Sequence, residues 1–184
     1  MILPIYAYGH PVLKKVASNI DKSYPNLSVL LANMWDTMYN AHGVGLAAPQ
    51  IGLDIRLFIV DTLQVLEEEK PGEGIKMAFI NAKIVEESGE EWSYEEGCLS
   101  IPYVRGDVSR QEQVTIEYFD ESFTKHTKTF SGLNARVIQH EYDHIQGILF
   151  TEKLKPLKKK LVQKKLDNIK KGNIKADYKI KFVV

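Results

Sequence analysis

"QVTIEYFDESFTKHTKTFSGLNARVIQHEYDHIQG", residues 113–147, carries both kinds of regular element and the change of period between them. "QVTIEYF" (113–119) and "KHTKTF" (125–130) alternate across "DESF", the pattern of an antiparallel hairpin. A helix then runs from about Leu133 to Gln146 and stops at Gly147, the residue type that most often follows a helix. Strands followed by a helix, without regular alternation of the two, indicate an α+β fold.

Working outward, Leu27, Leu30, Leu31, Met34 and Met38 recur at helical spacing over 27–41, with Pro25 before them and Gly43 after. "GVGLAAPQ" (43–50) is too rich in small residues to be a long regular element and reads as a tight, extended loop. "IRLFIV" (55–60) is a buried strand, "LEEEKPGEG" a surface excursion and "MAFI" (77–80) the next apolar run. "KIVEES" and "EEWSYEE" read as further short strands split by Gly89. Pro156 opens a lysine-rich helix to about Lys171, with Leu157, Leu161 and Leu166 as its apolar members, and "DYKIKFVV" closes the chain as a strand. The expected architecture is α+β, with short antiparallel β-sheets around a central helix that carries "HEYDH", N-terminal helices, and a basic C-terminal helix and strand. Residues 1–155 form the catalytic domain in this reading, and 156–184 a lysine-rich extension packed on it or projecting from it.

The composition, 44% hydrophobic and 26% charged over 184 residues, is that of one soluble globular domain. No apolar run approaches the ~20 residues needed to cross a bilayer, and the start lacks the pattern of a secretory signal, so the expected location is the cytoplasm. A lone cysteine, Cys98, excludes an intramolecular disulfide and leaves the thiol for metal or catalysis. Net charge is zero but unevenly spread: residues 1–152 carry 12 Lys and Arg against 22 Asp and Glu, whereas 153–184 carry 12 lysines against Asp167 and Asp177. Such a tail suits a phosphate-rich surface, or is simply a solvated helical face.

Within the helix, His140 and His144 lie four apart, about 40° around the axis, so both rings can aim at one ion. Glu141 flanks the pair, within reach of a bound water, as in known zinc hydrolases. The third ligand is not downstream: Phe150 occupies the position where one extended form of this motif needs a histidine, and Glu152 is the last acid before Asp167. Upstream, the one soft donor is Cys98 in "EEGCLSIP". A Cys, His, His set leaves a fourth tetrahedral position for water. Asp143 points away from the histidine face and, if buried, needs a cation such as Arg110 or Arg105. His10, His42 and His126 are given no role.

"GVGLAAPQ" (43–50), "EGCLS" (96–100) and "QHEYDH" (139–144) together resemble the three signature motifs of bacterial peptide deformylases, in order and rough spacing, over about residues 1–155. The resemblance implies removal of the formyl group from N-formylmethionine at the start of nascent polypeptides, with release of formate. It implies Cys98, His140 and His144 as metal ligands and Glu141 as general base. The Gln50 side-chain amide and the Leu99 backbone N–H become oxyanion donors, and the Gly45 backbone pairs with the substrate main chain. It also implies ferrous iron as the native metal, whereas the residues themselves do not separate Fe2+ from Zn2+, Ni2+ or Co2+. Val44, Tyr94, Leu133 and Val137 are candidates to line a hole for the methionine side chain, and each is equally a plain core position. The expected partners are nascent formylated polypeptides and, through the basic tail, the ribosome; no membrane and no DNA are expected. Two rival readings are a zinc endopeptidase and a non-catalytic metal-binding or ribosome-binding module.

Overall fold

The computed structural model describes residues 1–68 and 70–183. Glu69, within the acidic excursion, and Val184, the last residue of the expected closing strand, lie outside the described residues. The elements in chain order are β1 (Ile5–Tyr6), α1 (Leu27–Asn40), β2 (Gly45–Ala47), β3 (Leu57–Asp61), α2 (Leu63–Leu66), β4 (Lys76–Cys98) and β5 (Ile101–Phe119). They are followed by β6 (Lys125–Ser131), α3 (Gly132–Ile145), α4 (Pro156–Lys170) and β7 (Ile180–Lys181). Five strands form one sheet in the order β2-β3-β4-β5-β6, antiparallel at every pairing. The fold is a mixture of α and β built on that sheet.

Strand β3 shows why both faces of the sheet are covered. Every residue of Leu57–Asp61 is buried, and Leu57–Val60 is apolar without alternation. Leu57 and Ile59 pack with Leu31, Met34 and Met38 of α1, together with Leu46, Ala78 and Ile80. Phe58 and Val60 turn the other way, joining Phe79, Val114, Ile116 and Tyr118 against Ala135, Val137, Ile138 and Ile145 of α3. The result is α1, sheet, α3, in which each fully buried large aliphatic or aromatic side chain contributes about 1.5–3 kcal/mol of burial. A third cluster joins Ile101, Val104 and Val108 of β5 to Leu149, Phe150 and Leu154 and to Val162, Leu166 and Ile169 of α4.

The expectation of short strands is corrected for β4 and β5. "KIVEES" and "EEWSYEE" are one strand, and Gly89 does not split it: with φ 84° it lies in a bulge between the Ser88–Gln113 and Glu91–Gln111 pairs, a kink that a left-handed residue permits within a ladder. A second irregularity occurs at Asn81 (φ 52°), whose side chain accepts from the Ile20 N–H (2.9 Å) and donates to the Ile20 carbonyl (2.6 Å). Residues 101–112 extend β5 well before Gln113. Pro102, Gly106 and the inward-facing Arg110 hide its alternation, although Val104 and Val108 are buried and Tyr103, Arg105 and Asp107 exposed. The hairpin of β5 and β6 has the expected pairing, from Gln113–Ser131 to Phe119–Lys125.

Two further expectations change. "GVGLAAPQ" is not an extended loop throughout: Gly45–Ala47 is the edge strand β2, and Ala48–Ile51 a 3-10 turn entered at Pro49. In α4, Leu157 and Leu161 are 71% and 68% exposed, while Val162, Leu166 and Ile169 face the protein. Spacing alone could not choose between two partly apolar stripes on one helix. The closing strand is only two residues long and pairs in parallel with β1, Ile5 opposite Ile180, so the two ends of the chain meet.

Candidate metal centre

Helix α3 begins at Gly132 after an extended Ser131 and is stopped by Gly147, whose φ of 71° a glycine adopts without strain. One face packs on the sheet, which leaves His140, Glu141 and His144 deep against β2 and the end of β4. Cys98 is the last residue of β4, where a two-residue turn, Leu99 and Ser100, returns the chain to Ile101. One donor atom from each of Cys98, His140 and His144 lies within 4.8 Å of the others, and Cys98 Sγ is 3.3 Å from His144 Nε2. A tetrahedral ion with one sulfur and two nitrogen ligands needs separations of roughly 3.3–3.6 Å, so this donor set fits a borderline-soft divalent cation with little movement.

A cavity of about 630 Å3 opens over these atoms. Gly45, Gln50, Cys98, Leu99, His140 and Glu141 line it, as do all four residues named for the methionine hole: Val44, Tyr94, Leu133 and Val137. Gln50 is almost fully buried; its Oε1 accepts from the Ala47 N–H (2.8 Å), which aims Nε2 at Cys98 Sγ (3.5 Å) and Ser100 Oγ (3.3 Å). Both amide protons therefore have long, weak partners that a better acceptor can displace. Gly45 meets a constraint that sequence reasoning missed. A Cβ there would lie 2.8 Å from both Cγ and Cδ of Glu141, so glycine leaves room for the carboxylate.

Glu141 is buried with Oε2 unpartnered, and burial chiefly pushes its pKa up to about 7. A carboxyl so placed can exchange protons near neutral pH. Burial opposes charge on His140, yet hydrogen bonds to Cys98 and Glu96 outweigh it and raise its pKa. For His144, burial and then the neighbouring His140 lower it.

Sequence reasoning also missed Glu96. Its Oε2 lies 3.0 Å from His140 Nδ1 and accepts from Arg110 Nη2 (3.0 Å), while Oε1 accepts from Arg110 Nε (2.7 Å) and Arg136 Nη1 (3.0 Å). Burial pushes the Glu96 carboxyl up, but the bonds from His140 and Arg110 prevail and hold it well below the usual carboxylate range. Arg110 Nη1 also reaches Asp143 Oδ2 (2.8 Å), the cation that Asp143 was expected to need; Arg105 is exposed and plays no such part. The usable signal was period two: Glu96 and Cys98 are alternate residues of one strand and share a face. Phe150, which excludes the longer histidine motif, stacks 6.0 Å from the His140 ring.

Two histidines one turn apart on a buried helix, a cysteine from a neighbouring hairpin and a buried glutamate, gathered beside one cavity, define a candidate metal site of the HExxH class. A model of the polypeptide deformylase family matches residues 2–160. Peptide deformylases from Christiangramia forsetii and Flavobacterium johnsoniae are 60% and 58% identical to the chain, each alignment covering 99% of this chain and 96% of the relative. The crystal structure of a peptide deformylase from Legionella pneumophila superposes with a TM-score of 0.81 at 38% identity, covering 94% of this chain and 98% of that one. A plant peptide deformylase does so with a TM-score of 0.83 at 33% identity, over 93% and 90% of the two chains. The chain belongs to the polypeptide deformylase family.

Proposed function

We propose that the protein hydrolyses the N-formyl group from formylmethionine at the start of nascent polypeptides, releasing formate and a free amino terminus. The observation that carries this reading is the convergence of the Cys98, His140 and His144 donor atoms beside Glu141, Gln50 and Leu99 in one cavity, in a chain of this family. Cys98, His140 and His144 would hold a divalent ion, ferrous iron in the family's terms, with Zn2+, Ni2+ or Co2+ as substitutes. Bound there, such an ion supplies Lewis acidity that lowers the pKa of water and polarises the formyl carbonyl.

The protein's own groups account for the rest of the cycle. Glu141 takes a proton from water as its oxygen adds to the formyl carbon, and later gives a proton to the departing amine as the C–N bond breaks. The Gln50 amide and the Leu99 N–H donate to the developing oxyanion; Gln50 does so by releasing Cys98 or Ser100. Gly45 lies on β2, whose outer edge is unpaired among the described residues, so an extended peptide can add there as a further strand. Val44, Tyr94, Leu133 and Val137 enclose the methionine side chain.

Helix α4 supports a second part of this reading, docking on the ribosome. Lys159, Lys160, Lys164 and Lys165 are exposed on it, beside the exposed Leu157 and Leu161. Among the described residues no helix is long and apolar enough to cross a membrane, and the cytoplasm is the proposed site of action.

The test is formate release by the iron-loaded enzyme, prepared without oxygen, from formyl-Met-Ala-Ser, its acetylated counterpart and an unblocked internal peptide. Formate from the first alone is expected. Cleavage of the internal peptide would instead establish an endopeptidase.

A further inference from the structure

The turn that follows Cys98 is held from outside by the two ends of the chain. Ser100 carbonyl oxygen accepts from the Tyr8 N–H (2.8 Å), and Leu99 carbonyl oxygen accepts from the Tyr178 hydroxyl at 2.6 Å. By contrast, the Leu99 N–H donates to nothing among the described residues. Tyr178 lies in the segment between α4 and β7, and it is not a surface ornament. Its ring packs partly buried against the α1 side of the core, and both it and Asp177 line the cavity over the metal-ligand cluster. The segment is fastened on either side of Tyr178, by Tyr103 Oη donating to Asp177 (3.3 Å) and by the β1–β7 pairing.

We infer that Tyr178 is a positioning residue: its hydroxyl fixes Leu99 from the carbonyl side so that the Leu99 N–H is held ready for the oxyanion. This deepens the proposed function and rests on it. A two-residue turn pinned on its acceptors but not on its donor is preorganised for an incoming acceptor, and such donors count only when they do not reorient during reaction. The C-terminal segment beyond α4 is then part of the active site, not only a basic appendage. Burial raises the Tyr178 pKa, so the phenol stays a donor throughout the neutral range.

The experiment is Tyr178→Phe in the full-length, iron-loaded enzyme, with kcat and KM for formyl-Met-Ala-Ser, bound metal and Tm measured together. Phe keeps the ring that packs, and water in the open cavity can satisfy the freed carbonyl, so Tm, metal content and KM are expected to stay as in wild type. The kcat is expected to fall roughly tenfold, because a loosened donor misplaces the transition state rather than the bound substrate. An unchanged kcat overturns the inference, and so does a kcat that falls only in step with Tm and metal content, which is the signature of a structural role. If the wild-type holoenzyme releases no formate, the proposed function fails first, in a measurement made before any variant, and this inference falls with it.

Discussion

Glu96 Oε2 and His140 Nδ1 are 3.0 Å apart, and this contact ties down one of the two ring nitrogens of a candidate metal ligand. Glu96 is held as a carboxylate and can only accept, so Nδ1 donates to it and Nε2 is the nitrogen that a metal would take in place of a proton. The carboxylate is fixed in turn by Arg110 and Arg136, both buried. One strand residue thus orients a candidate ligand on a helix 44 residues away.

Glu96→Gln is expected to weaken metal binding by about 10–100-fold, because the amide can flip, donate to His140 and stabilise the wrong tautomer. Competition with a calibrated chelator reads this directly; an affinity equal to wild type would show that the contact does not orient the ligand.

Glu141→Ala is expected to retain metal and to lose activity by roughly 10²-fold or more. It should also fold at least as well as wild type, since it removes a buried carboxylate with an unpartnered oxygen. Metal analysis, formate release and urea denaturation on one preparation separate these statements.

Gly45→Ala tests the close approach of β2 to the Glu141 carboxylate. The added methyl must displace Glu141, and kcat is expected to fall by about 10²-fold, the scale of a misplacement near 1 Å, while metal content stays constant. Activity near that of wild type would mean that Glu141 can move without consequence.

Arg110→Met leaves Glu96 and Asp143 without their main cation in a buried setting, and is expected to cost about 3–5 kcal/mol in urea unfolding. The same network bears on acid stability. Glu96 has its pKa depressed by folding, so its contribution is present above its ordinary pKa of 4.5 and is lost as pH falls toward the lower folded value. Wild type should therefore lose stability on acidification below about pH 4.5, and Arg110→Met, already lacking the bond, less steeply.

Leu166→Ala and Leu161→Ala distinguish the two stripes of α4. The buried residue is expected to cost about 2–5 kcal/mol and the exposed one less than about 0.5 kcal/mol. The exposed pair Leu157 and Leu161 belongs to the face assigned to the ribosome. Salt-dependent binding to ribosomes, weakened when the exposed Lys159, Lys160, Lys164 and Lys165 are changed to glutamate, is the expected result, and unchanged binding would retire that assignment.

What could be read from the residues alone was local and periodic. The helical repeat places His140 and His144 on one side with Glu141 beside them, and alternation sets the hairpin of β5 and β6. These follow from bond geometry over a few residues and need no knowledge of the rest of the chain. What only the tertiary structure decided involves pairs far apart in sequence: Glu96 with His140, Arg110 with Asp143, Gly45 against Glu141, and Tyr178 on Leu99, 79 residues away. Bulges at Asn81 and Gly89 shift the register of the longest strand, and which stripe of α4 is buried depends on what β5 presents to it. Such contacts arise from burial and register summed over the whole sheet, and no period within a short stretch encodes them.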